Sequence, residues 1–236
     1  MRAPSAAGLL ALLPALLFGA GVGQLAAQDT ARQAGHEHGK DAEHSDDAVQ
    51  GGGVVPAGWT ARADKNAGIA KVKVVPMGKG IHVTLGPAII LYRDKTGGNG
   101  PFHTLATFTQ TKAPRHPEGY GLFYGGQALD GAGQKYTYFL VRGDGTYLVK
   151  RREGEKTTEI TKGWVASPAV HKADANGVAT NLLEIDHKRD PSKVVFMVNS
   201  EPVYTLDAKA TEVNGVAGIR VNHHLDVHID GFDVHR

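Results

Sequence analysis

The segment 223–235, HHLDVHIDGFDVH, places histidines and aspartates at alternate positions. Imidazoles and carboxylates are ligands for zinc and copper. Because side chains alternate between the faces of a strand, His224, Asp226 and His228 are predicted to share one face. Residues two apart on a strand lie about 7 Å apart, so the two histidines would be about 13 Å apart and could not hold one ion. We predict a final strand with a solvent-facing polar side and no metal site. The alternative is a His–Asp pair completed by a ligand from a neighbouring strand.

A second set of residues is suited to binding a sugar. In the segment KYTYFLVR, 135–142, two tyrosines and an arginine alternate with the apolar residues Phe139 and Val141. We predict that the strand after the Asp144-Gly145 turn adds a tyrosine and an arginine to the same face. Tyrosine rings stack on sugars, and arginines donate hydrogen bonds to hydroxyls or carboxylates. The candidate ligand-binding residues are Tyr136, Tyr138, Arg142, Tyr147 and Arg151. The alternative is that a loop covers the tyrosines and makes them part of the core.

The elements that would position these side chains are β-strands. From Val54 onward, apolar residues alternate with polar ones or form short β-branched and aromatic runs, and turn signals such as Asn99-Gly100 and Asn214-Gly215 separate them. Twelve strands are predicted, at 71–75, 81–85, 88–92, 102–110, 120–126, 135–142, 146–152, 181–187, 193–199, 202–206, 215–221 and 225–234. A helical period is absent except for one turn near 206–213. The spacing predicts an all-β antiparallel sandwich or barrel.

The N-terminal part of the chain predicts export. Arg2 precedes an apolar run from Ala6 to Val22 and a stretch of small residues, which is the pattern of a secretory signal peptide. We predict a signal peptide at 1–27 and a secreted or periplasmic location. An uncleaved membrane anchor is the alternative, although the run is shorter than the ~20 apolar residues of a spanning helix. After cleavage we expect no membrane span.

The composition separates a linker from a domain. Residues 28–53 have six acidic and two basic residues and almost no large apolar ones, so we predict a disordered linker with a histidine-rich segment. Residues 54–236 form the predicted domain. They carry 23 basic and 18 acidic residues without a long basic run, which argues against a nucleic-acid partner. The sequence has no cysteine, so the domain must be stabilised by its core without disulfides.

The order of four segments also resembles that of a known family. The segments are EGYGLFYGG (118–126), KYTYFLVRGDG (135–145), VVFMVNSEPVYTL (194–206) and GVAGIRVNHHLDVHIDGFDV (215–234). They are similar to concanavalin A-like, laminin G-like jelly-roll domains, and most similar to bacterial secreted domains grouped with 3-keto-disaccharide hydrolase-like proteins. The resemblance covers roughly residues 58–235 and implies a two-sheet jelly roll with a sugar site on its concave sheet. The chain departs from the family's Asn-Gly hairpin with NSEP at 199–202.

The same resemblance bears on catalysis. Glucanases of this fold carry carboxylates spaced E-x-D-x-E on one strand, with the nucleophile and the acid about 5 Å apart. Only Glu184 and Asp186 fit that spacing here, and Lys188 occupies the third position. The sequence also lacks a nucleophile elbow, a zinc-protease helix and a phosphate-binding loop. We predict no catalytic residue, and we interpret Glu184 and Asp186 as an exposed polar edge.

These observations favour an exported, non-catalytic β-sandwich without a cofactor that binds glycan or another extracellular or cell-envelope polymer. A glycoside-processing enzyme and a structural or adhesion subunit of an envelope complex are the alternatives, because jelly rolls host all three functions. Trp59 and Trp164 are interpreted as core residues beside glycines at strand approaches. The sequence makes no prediction of the oligomeric state.

Overall fold

The computed structural model describes residues 49–64 and 68–236. The predicted signal peptide and residues 28–48 of the predicted linker lie outside the described residues. Within the described ranges the chain forms sixteen strands. In chain order they are β1 (Gly52–Gly53), β2 (Thr60–Ala63), β3 (Val72–Met77), β4 (Gly80–Leu85), β5 (Ile89–Tyr92), β6 (His103–Gln110), β7 (Tyr120–Gln127), β8 (Lys135–Val141), β9 (Thr146–Glu153), β10 (Lys156–Glu159), β11 (Val165–Ala166), β12 (Ala179–Asp186), β13 (Lys193–Val198), β14 (Glu201–Asp207), β15 (Val216–Val221) and β16 (Asp226–His235). Two complete 3-10 turns also lie within the described residues, at Asp94–Thr96 and Ala208–Ala210.

All twelve predicted strands are confirmed, with ends that differ by no more than two residues. The four further strands are β1, β2, β10 and β11, each two to four residues long. The sequence of β10 is KTTE and all four of its residues are exposed, so it carries none of the apolar alternation that identifies a half-buried strand. Pairing with β9 holds β10 in place. The Gly52–Gly53 strand lies at the end of the segment predicted as linker and pairs with β3.

The strands form two sheets. The first has the order β1-β3-β4-β16-β6-β12-β13-β14, and the second has the order β10-β9-β8-β7-β15-β5-β2 with β11 on the outer edge of β9. Every pair is antiparallel except β1 with β3. The last two strands of the chain, β15 and β16, lie in the interior of the two sheets. This arrangement is the predicted antiparallel jelly-roll sandwich, and within the described residues no helix is long and apolar enough to cross a membrane.

The core between the sheets is rich in aromatic side chains. Phe139 of β8 and Phe196 of β13 meet across the sandwich with ring centres 5.3 Å apart, and both side chains are fully buried. Phe108 and Tyr120 form a second pair at 5.6 Å. Burying a side chain of this size contributes about 1.5–3 kcal/mol. Packing of this kind stabilises a domain that has no disulfide.

The hairpin between β13 and β14 has the backbone geometry of an Asn-Gly turn, although serine stands in the place of glycine. Asn199 and Ser200 join β13 to β14, and both have positive φ angles, 51° and 69°. A two-residue hairpin turn of this type needs positive φ at both positions, and asparagine tolerates it better than most residues. The Asn199 side chain also accepts a hydrogen bond from the Leu182 amide at 2.9 Å and donates to the Ala169 carbonyl at 2.8 Å. The turn therefore connects β13 to β14 and also bonds to β12 and to the loop that contains Ala169.

Candidate ligand-binding site

The prediction that five residues share one face is wrong. Residues that oppose each other in antiparallel strands share a face, and Tyr147 lies opposite Val141 on the inner side of the second sheet. Its hydroxyl donates to the Val203 carbonyl at 2.8 Å, across the sandwich. Arg151 lies opposite Thr137 on that inner side and donates to a backbone carbonyl.

Tyr136, Tyr138 and Arg142 remain together on the outer side of β8. The two tyrosine rings are almost completely buried, 2% and 5% exposed, so the packing alternative describes them better than an open platform. They belong to an outer apolar layer with Phe123, whose ring centre lies 5.0 Å from that of Tyr136. Burial raises the pKa of the Tyr138 hydroxyl to about 12. These rings form the floor of the outer face.

A buried arginine organises this floor. Arg220 of β15 is 4% exposed and donates to both carboxylate oxygens of Asp64, at 2.6 and 2.8 Å. It also donates to the Tyr136 hydroxyl at 3.3 Å, and Arg152 donates to Asp64 at 2.8 Å. Burial raises the pKa of Asp64, but the charge and hydrogen bonds of Arg220 and the charge of Arg152 outweigh it, so the pKa lies below its usual value. Asp64 is therefore ionised and held by two cations.

Beside this floor lies a group of partly exposed side chains, here called the polar cluster: Glu118, Arg142, Trp164, Asn222 and His223. The Arg142 guanidinium lies 3.7 Å from the centre of the Trp164 ring, a cation–π contact. Asn222 donates to the Glu118 carboxylate at 3.1 Å, and the His223 Nδ1 lies 3.2 Å from the same carboxylate. The Arg220 Nε donates to the Asn222 side-chain oxygen at 3.2 Å, which joins the cluster to the floor.

The topology explains how residues so distant in sequence meet. Tyr120 at the start of β7 lies opposite Val221 at the end of β15, so the residues before one strand and after the other come together. The backbone N–H of Asn222 donates to the Gly119 carbonyl at 2.9 Å, which holds the loop before β7 against the loop after β15. Sequence reasoning missed Glu118, Asn222 and His223 because only the pairing of β7 with β15 brings them close. The Trp164 interpretation was also incomplete, since this ring is only partly buried at the margin of the outer layer.

Electrostatics keeps the cluster charged. Burial raises the pKa of Glu118, but the hydrogen bond and charge of His223 and the hydrogen bond of Asn222 lower it further than burial raises it. An ionised carboxylate beside an arginine and an amide offers both acceptors and donors in fixed positions. Such a set can bind the hydroxyls of a polar ligand.

The predicted polar face of the final strand is confirmed only in part. His224 lies in the turn before β16, with a φ of 56°, and therefore does not share a strand face with Asp226 and His228. The histidine that completes this surface is His82 of β4, directly opposite His228. His82 Nε2 lies 2.8 Å from Asp226, whereas His228 Nε2 lies 2.9 Å from Asp230. In the two ranges that the structure describes, no three such side chains form an arrangement that could hold a metal.

Glu184 and Asp186 lie on β12, which is an interior strand between β6 and β13 and not an edge. Glu184 lies 3.1 Å from the His103 Nε2, and the largely buried Asp186 accepts from the Lys188 and Arg189 amides at 2.8 and 3.0 Å. The prediction of an exposed edge is wrong, because β12 is paired on both sides and Asp186 is largely buried. Glu184 instead contacts the neighbouring strand, and Asp186 accepts hydrogen bonds from the loop after β12.

The fold defines a class, the antiparallel two-sheet jelly-roll sandwich. Among solved structures the chain is similar to the carbohydrate-binding module CBM66 from Bacillus subtilis, with a TM-score of 0.55 and 11% identity over 76% of this chain and 96% of that one. It is also similar to the carbohydrate recognition domain of Emp46p, with a TM-score of 0.50 and 10% identity over 76% of this chain and 88% of that one. At these identities the similarity is one of fold. No protein-family model and no curated protein matches the sequence.

Replacing Asp64 with asparagine is expected to destabilise the domain by about 3 kcal/mol at pH 7, because it leaves Arg220 buried without its counter-charge. The folded pKa of Asp64 is lowered, so its contribution is present above about pH 5 and is lost as the pH falls. Urea unfolding at pH 7 and pH 3 is therefore expected to show a smaller loss on acidification for Asp64→Asn than for the wild type. Asp130→Asn, at an exposed position, is the control. Equal stability of the two variants at pH 7 would contradict the structural role of this ion pair.

Proposed function

We propose that this protein is an exported, non-catalytic module that binds glycan through the polar cluster. The proposal rests on the hydrogen bonds of the Asn222 side chain. This side chain accepts a hydrogen bond from the buried Arg220 and donates one to the partly exposed Glu118. A rigid floor thereby fixes the donors and acceptors of the rim before any ligand arrives. Groups that are already in place lose little entropy when a ligand binds. The fold similarity to a carbohydrate-binding module supports the choice of ligand class.

The chemistry of the cluster fits sugar hydroxyls. A hydroxyl both donates and accepts, so it is bound best where a carboxylate lies beside fixed N–H donors. Glu118 supplies the acceptor. The Asn222 side chain is fixed because its nitrogen donates to Glu118 and its oxygen accepts from Arg220. The Arg142 guanidinium is oriented by its contact with the Trp164 ring. Tyr136 and Tyr138 contribute by supporting these groups from below. This geometry replaces the open tyrosine platform as the proposed binding surface.

The ionisation of the carboxylates supports a binding role over hydrolysis. Glycoside hydrolysis uses two carboxyl groups, one of which gives a proton to the leaving group and has a raised pKa. On this face the pKa of Glu118 is lowered, and both oxygens of Asp64 accept hydrogen bonds from arginine. Neither group is suited to acting as the proton donor.

Export is part of the proposal and is supported by the apolar run from Ala6 to Val22. The mature protein is expected to begin near Gln28 and to be recovered outside the cytoplasm, which N-terminal sequencing of the exported form measures. Recovery of a chain that still begins at Met1 in a membrane fraction would overturn this part of the proposal.

Replacing Arg142 with alanine or Glu118 with glutamine is expected to weaken glycan binding about tenfold or more, because each change removes a charged hydrogen-bonding partner. A glycan array on the wild-type protein identifies the ligand, and calorimetric titration then measures each variant. The matched control is Arg189→Ala, which removes an exposed arginine at the far end of the first sheet. Wild-type affinity in both cluster variants, or an equal loss in the control, would rule out this surface as the binding site.

A further inference from the structure

A second recess lies away from the polar cluster, at a side of the sandwich where elements of both sheets meet. Its volume is about 320 Å³. Trp59 and Arg93 line it from the second sheet, and Ile229 and Phe232 line it from the first. Lys79, in the turn between β3 and β4, lies exposed at its margin. A volume near 300 Å³ is at the small end of ligand pockets and suits a ligand the size of one monosaccharide.

Local backbone features create this recess. β16 carries a bulge between Asp230 and Asp233, where the chain has one more residue than its partner strand β6. Gly231 provides the bulge with a φ of 64°, a value that glycine adopts without strain. The extra residue turns Phe232 toward Trp59, and the two ring centres lie 5.3 Å apart. The bulge therefore builds an aromatic wall that a regular strand would not form.

Arg93 lies against that wall, and none of the described carboxylates forms an ion pair with it. Its guanidinium carbon is 4.6 Å from the centre of the Trp59 ring and 5.5 Å from that of Phe232. Its only side-chain hydrogen bond to a described residue is from Nη2 to the Phe232 carbonyl, at 3.4 Å. The Nε atom is shielded from solvent and has no hydrogen-bond partner, and within the described ranges no carboxylate forms a salt bridge with this arginine. Arg220 and Arg152, in contrast, both bind Asp64.

We propose that this recess binds a uronic-acid residue, a sugar that carries a carboxylate. An arginine that lies on aromatic rings, with one long hydrogen bond to a carbonyl and no carboxylate partner among the described residues, is suited to a carboxylate, which it can bind through two parallel hydrogen bonds. The rings of Trp59 and Phe232 offer an apolar surface to the C–H face of the sugar. Lys79 adds a second positive charge at the margin. This site goes beyond the proposed glycan function and does not depend on the polar cluster.

The test uses the two tryptophans of the intact chain as separate reporters. Their indole N–H signals are observed by NMR and assigned with Trp59→Phe, while D-galacturonate is added. The Trp59 signal is expected to move saturably in the millimolar range, and the Trp164 signal to stay in place. D-galactose, which has the same ring without the carboxylate, is expected to cause no comparable shift. Arg93→Gln is expected to weaken galacturonate binding at least tenfold.

Three results of these titrations would overturn the proposal. Equal binding of galactose would show that the carboxylate is not recognised, and equal competition by inorganic phosphate would show a general anion site with no part for the sugar ring. Movement of the Trp164 signal instead of the Trp59 signal would place the uronate in the polar cluster. Arg142→Ala is expected to leave the Trp59 response unchanged, so failure here and failure of the glycan proposal are distinguishable.

A further variant separates binding from folding. Lys79→Gln changes an exposed residue at the margin and is expected to weaken galacturonate binding about twofold to fivefold, since it removes one charge that contacts solvent. If Arg93→Gln lowers the thermal midpoint, the Lys79 variant still tests the electrostatic preference. An unchanged affinity in Lys79→Gln together with a folded, fully binding Arg93→Gln would reject the site.

Discussion

The outer face of the second sheet depends on one interaction, the buried ion pair of Arg220 with Asp64. A guanidinium that is 4% exposed in the interior of a sheet requires a counter-charge and partners for its donors. The Asp64 carboxylate supplies the counter-charge and accepts hydrogen bonds from both terminal nitrogens of Arg220. The Tyr136 hydroxyl accepts a further bond from Nη1, and the Asn222 side-chain oxygen accepts one from Nε. Because the buried Arg220 needs these acceptors, its hydrogen bonds fix the orientations of the Tyr136 and Asn222 side chains. The same requirement fixes the Asn222 side-chain amide next to Glu118, in the arrangement that the proposed glycan site uses.

The placement of the last strands explains where polar chemistry gathers. β15 and β16 lie in the interior of the two sheets, so the connections at their ends adjoin strands from distant parts of the chain. Asn222 and His223 follow β15 and meet the two residues before β7. Phe232, at the bulge in β16, meets Trp59 and Arg93. One long closing segment thereby contributes to two separate surfaces. On the outer side of the first sheet, His228 of this segment instead pairs with Asp230, and Asp226 pairs with His82 of β4.

The fold could be predicted because its signals are local. Alternation with a period of two and turns at Asp144-Gly145 or Asn214-Gly215 are visible in a few residues each, and all twelve strands that they indicate are present. The face of Tyr147 could not be predicted reliably, since it depends on the register across a turn, and a shift of one residue exchanges inside and outside. The polar cluster depends on a strand pair about a hundred residues apart in sequence. Without that pairing, Glu118 and His223 are two unremarkable loop residues.

In the proposed function, the outer face around Asn222 is where this sandwich binds glycan. The most direct measurement is a map of backbone amide shifts on titration with an oligosaccharide that the protein binds. We expect saturable shifts that centre on residues 118–119, 142 and 222–223, with the first sheet largely unaffected. Shifts centred on β6, β12 and β13, with none near Asn222, would contradict it.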